Sequence, residues 1–79
     1  MRDKLKLAEG DTLNYKASRM KGFAGETDVT DYDIVDATGT VIGSVEFTEH
    51  TAVRGLRTTH SVVQKDAQGK VVVSTSWNP

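Results

Sequence analysis

The sequence contains no cysteine. That excludes a disulfide staple, and it excludes a thiolate as nucleophile or metal ligand. No apolar run approaches the length of a membrane span, and the N-terminal stretch "MRDKLKLAEGD" lacks the apolar centre of a signal peptide. These absences predict a soluble, cytoplasmic protein. A sustained apolar period of 3.6 residues is also missing, which argues against long helices. The five aromatic residues are few for a surface that stacks bases. Finally, no lysine or arginine occurs from residue 22 to residue 50.

What remains fits one small domain. At 79 residues, a chain buries only roughly 60–65% of the surface its unfolded form exposes, so its stability is thin. Val, Ile and Thr are frequent, and alternation is the dominant pattern. "KLKLA" (4–8) alternates Lys with Leu, "TLNYKASRM" (12–20) sets Leu13, Tyr15 and Ala17 on one side, and "EGD" between them reads as a tight turn. An N-terminal hairpin over 4–20 is therefore expected, followed by the polar connector 22–28.

Three later stretches, "DATGT", "AVRGL" and "DAQGK", each place a glycine fourth: Gly39, Gly55 and Gly69. This suits a type I turn followed by a left-handed residue, the common three-residue hairpin loop. Strands at about 29–36, 40–51, 56–65 and 70–77 follow, giving a four-strand meander over 29–77. The segments "DATGTVIGSV" and "DAQGKVVVST" repeat at an interval of 30. The predicted architecture is all-β, an antiparallel meander of about six short strands forming a small barrel or two-layer sandwich. Turns of this type pair 36 with 40, 52 with 56 and 66 with 70. One face then collects Val29, Val35, Val41, Val45, Phe47, Val63, Val71, Val73 and Trp77 as core, with His50 and His60 diagonal neighbours on the other. That register leaves Asp31 and Asp33 on the core side, where unpaired carboxylates cost several kcal/mol each, so an open rim, a bulge in the 29–36 strand or a two-residue loop at Ala37–Thr38 is expected.

Charge is segregated along the chain. Residues 1–21 hold six basic and three acidic side chains, 22–50 hold seven acidic and none basic, and 51–79 hold four basic and one acidic. Either strand pairing interleaves these blocks, or the surface is dipolar and steers a charged partner. The stretch "DVTDYDIVD" (28–36) concentrates the acidity. Its spacing spreads the carboxylates along a strand instead of converging them as a Ca²⁺ loop does. Two histidines without cysteine make a poor zinc set, and no nucleophile motif accompanies the serines. No metal, cofactor or catalytic residue is therefore assigned, and the protein is read as a non-enzyme.

Two binding readings stand. In the first, Asp28, Asp31, Asp33, Glu46 and Glu49 form an acidic hairpin surface with Tyr32 as anchor, contacting a basic patch on a partner protein. Inhibitors encoded by phages or other mobile elements share this size and economy, by analogy alone. In the second, Lys16, Arg19, Lys21, Arg54 and Arg57 bind nucleic acid on a small barrel. Apolar residues on both predicted sheet faces, with a small core, leave room for homodimerisation.

Overall fold

The computed structural model describes residues 2–22, 26–52 and 57–79. A single 3₁₀ turn, Arg2–Lys4, precedes five strands: β1 (Thr12–Lys21), β2 (Thr27–Val35), β3 (Val41–Thr51), β4 (Thr58–Asp66) and β5 (Val71–Trp77). They form one antiparallel sheet in the order β1-β2-β3-β4-β5. The all-β meander is as expected. The sheet has two free edges and does not close into a barrel.

The predicted strand at 4–8 is replaced by a strap. Leu5 and Leu7 pack against a cluster of Ile34, Val45 and Val62, each at most 2% exposed. The peptide groups of Lys6 are satisfied by a side chain instead of a neighbouring strand: its N–H donates to Gln64 Oε1 and its carbonyl accepts from Gln64 Nε2, both at 2.8 Å. Lys4 reaches Trp77, with Nζ 5.3 Å from the ring centroid. At its other end the strap turns through "AEGD", where Asp11 N–H donates to Ala8 O and Ala8 N–H donates back to the Asp11 carboxylate. The expected 4–20 hairpin is thus corrected: the first hairpin is β1–β2. An extended strap and a strand share the same two-residue alternation, which is why the pattern misled.

The interval-30 repeat is one hairpin built twice. Asp36 Oδ1 accepts the N–H groups of Thr38 and Thr40, and Asp66 Oδ1 accepts those of Gln68 and Lys70. Gly39 and Gly69 sit at φ +87° and +83°, a conformation that costs other residues. Six residues after each aspartate, Ile42 and Val72 are left unpaired in a bulge.

Those bulges overturn the predicted register. Beyond Ile42, Tyr32 pairs with Val45 and Ile34 with Gly43. Across β3–β4, Thr51 pairs with Thr58 and Ala52 N–H donates to Arg57 O. The connection therefore spans 53–56, not the three residues that a 52–56 pairing leaves, and parity inverts. The Gly55 turn itself lies outside the described residues. The core face consequently joins Leu13, Tyr32, Ile34, Val45, Phe47, Val62, Val73 and Trp77. Of the expected core, Val41 and Val71 are about half exposed, and Val63 lies on the opposite face. His50 and His60 fall on opposite faces, not side by side.

Candidate functional site

Pairing order sorts the charged residues onto two faces. The strap face carries Asp28, Tyr32, Glu49 and His60. The opposite, open face, away from Leu5 and Leu7 of the strap, carries Asp31, Asp33, Glu46, His50, the buried Val29 and, from β1, Arg19 and Lys21. The acidic hairpin is therefore divided, with one directly opposed carboxylate pair on each side: Asp28 across from Glu49, and Asp31 across from Glu46. Like charges so placed repel, and each pair has a cationic or ionisable neighbour.

On the open face that neighbour is Arg19. Its Nη1 donates to Asp31 and its Nη2 to Glu46 Oε2 at 3.1 Å, so one guanidinium bridges both carboxylates. All three side chains reach water, with exposures of 43%, 27% and 46%. Asp33 lies two residues along the same strand, facing the same way. A shallow depression of about 430 Å³ opens beside the group, lined by Lys16, Ala17, Asp31, Ser44, Glu46 and Lys65 among others. Lys16 is the residue left unpaired by a register shift between Tyr15 and Ala17.

On the strap face, Glu49 approaches His60 Nε2 at 3.3 Å, an ion pair only when the imidazole is protonated. The imidazole stands edge-on to Phe47 and Trp77, with centroids 5.2 and 5.7 Å away. Tyr32 packs against the core cluster and meets Tyr15 edge-to-face at 6.4 Å. Tyr15, 64% exposed, is the more accessible of the two rings.

The described basic residues of the second reading are not gathered. Lys16, Arg19 and Lys21 follow β1, at one edge of the sheet, while Arg57 precedes β4. Arg54 lies outside the described residues. Among the described residues, no three His, Asp or Glu side chains are placed to hold a metal ion. Nor does any described helix have the length and apolarity to cross a membrane.

Arg19, grouped by sequence with the candidate nucleic-acid residues, contacts two of the acidic hairpin residues, Asp31 and Glu46. The signal was available in the charge blocks, because β1 carries the basic block beside β2 and β3, which carry the acidic one. No protein-family model matches the chain, and neither a curated protein nor a solved structure matches it.

Proposed function

We propose that the protein is a non-catalytic protein-binding domain, inhibitor-like in action, that contacts a basic partner surface through the open face of its β2–β3 hairpin. The observation that carries this reading is the bridge from Arg19 to Asp31 and Glu46. It is a cation-binding arrangement already in use, filled by the domain's own guanidinium. An exposed ion pair contributes only about 0–1 kcal/mol, so a partner's arginine or lysine exchanges with Arg19 at little cost. Asp33 widens the acceptor set on the same face. Asp28, Glu49 and Tyr32 belong to the other face and serve a flat partner less well. The nucleic-acid alternative draws less support, since Arg19 is occupied and the remaining cations are dispersed. A cytoplasmic setting accompanies this reading.

The test is capture of a partner from nuclease-treated lysate of the source cells, using face-selective variants as bait. Asp31→Asn, Asp33→Asn and Glu46→Gln together should abolish capture, while Asp28→Asn with Glu49→Gln should preserve it. Capture that ignores the open-face changes, or that requires intact nucleic acid, would refute the reading.

A further inference from the structure

The two free edges of the sheet differ in chemistry. The β1 edge is guarded: Lys16, Arg19 and Lys21 are exposed along it, and the register shift at Lys16 breaks its regularity. Such charges and bulges are what natural sheets use to prevent strand addition. The β5 edge carries no charged guard, and its one irregularity, the bulge at Val72, lies at its start. Its sequence "VVVSTSW" contains no charge and no proline, and after the bulge at Val72 it runs regularly from Val73 to Trp77. An uncharged, β-branched edge strand is a template for another strand.

We infer that a second copy of this chain occupies that edge, its β5 pairing antiparallel with this one about a two-fold axis through Thr75. In this register Val73 lies opposite the second copy's Trp77, Thr75 opposite its counterpart, and Ser74 opposite the second copy's Ser76. No like charges meet. Aromatic–β-branched and Thr–Thr oppositions are among the pairs that stabilise antiparallel strands. Val73 and Trp77 already pack against the core cluster on the strap face. Pairing therefore joins two small cores across one continuous sheet. That compensates for a strap-face core whose buried cluster is only Ile34, Val45 and Val62 among the described residues. An edge without charge gives a foreign strand no electrostatic selectivity, whereas it is complementary to itself. Because β1 is blocked, each chain offers a single edge, and the assembly closes as a dimer instead of growing as a filament.

Sedimentation equilibrium at micromolar concentrations tests this. The wild-type chain should sediment at twice its monomer mass. Thr75→Lys should sediment as a monomer with unchanged far-ultraviolet circular dichroism, and Asn14→Lys on β1 should remain dimeric. Should the Thr75→Lys chain not fold, a single cysteine decides instead, since the natural sequence has none. Directly opposed residues stand about 4.5–5.5 Å apart at Cα, within disulfide range. Thr75→Cys should then cross-link to itself on mild oxidation, and Asn14→Cys should not. A wild-type monomer throughout would overturn the inference and leave the edge to a strand of another protein. A dimer that survives Thr75→Lys, cross-linking through position 14 in place of 75, or species that keep growing with concentration would overturn it equally.

Discussion

At the residue scale, the Asp-started turns show how one side chain sets a backbone path. Asp36 Oδ1 accepts two backbone N–H groups and also the Thr38 hydroxyl at 2.6 Å. The hydroxyl, followed by the Thr40 amide, holds the Asp36 carboxyl below its ordinary pKa of 3.8. A carboxyl whose pKa is depressed on folding stabilises the fold above its unfolded value, and that contribution is lost as pH falls through the lower folded value. The affected window therefore lies below about pH 4, the ordinary aspartate range. Thr38→Val should shrink the difference between urea midpoints measured at pH 7 and in that acid window. An unchanged difference would show that the turn does not hold the carboxylate in solution. The second turn offers an internal comparison, because Gln68 stands where Thr38 does and supplies no hydroxyl.

Elements were legible to different depths. The Asp-x-x-Gly turns at Gly39 and Gly69 could be read directly, since a left-handed residue in a short hairpin calls for glycine. Their downstream bulges at Ile42 and Val72 could not, because nothing in "TVIG" or "KVVV" distinguishes a bulged residue from a paired one. Each bulge moves parity by one, and the four-residue span 53–56 moves it again, so even the strands expected close to their observed positions were given an incorrect face. Gly43 shows the packing that parity produces: a Cβ there would come within 2.5 Å of the Lys65 carbonyl oxygen. The strap escaped for a different reason, its peptide partners being a distant side chain. Gln64, 5% exposed, is the buried polar residue that makes this possible. Gln64→Leu removes both bonds and leaves the Lys6 peptide groups unpaired, which should cost about 1–3 kcal/mol despite the added apolar surface. Because Lys4 sits over Trp77, the protein's single tryptophan, strap release should also change the fluorescence of the folded state. A variant with wild-type stability and wild-type emission would mean that Leu5 and Leu7 hold the strap without Gln64.

Over the whole molecule, a formal charge of −1 conceals the arrangement that matters. The acidic block is folded back on itself by the β2–β3 hairpin, which places carboxylate opposite carboxylate on both faces, and the basic block of β1 is brought alongside. The acidic surface was legible as a run of residues but not as a surface. Which glutamate faces each aspartate depends on the bulge at Ile42, and which cation answers them depends on the β1–β2 register. Arg19 then separates the two binding readings with one substitution. Arg19→Gln leaves Asp31 and Glu46 opposed without their bridge, so stability should fall by up to about 1 kcal/mol, the scale of an exposed ion pair. On the protein-binding reading the same change removes an internal competitor, and affinity for a basic partner should rise several-fold, most clearly at low salt, where exposed charges are screened least. On the nucleic-acid reading it deletes a phosphate contact, so affinity should fall and its salt dependence become shallower. Titrating the captured partner against wild type and Arg19→Gln at two salt concentrations reads both quantities. Weaker protein binding by the less stable variant would remove Arg19 as a competitor and with it the central argument for the open face. Tighter binding by that same destabilised variant is an outcome that a merely structural ion pair does not produce.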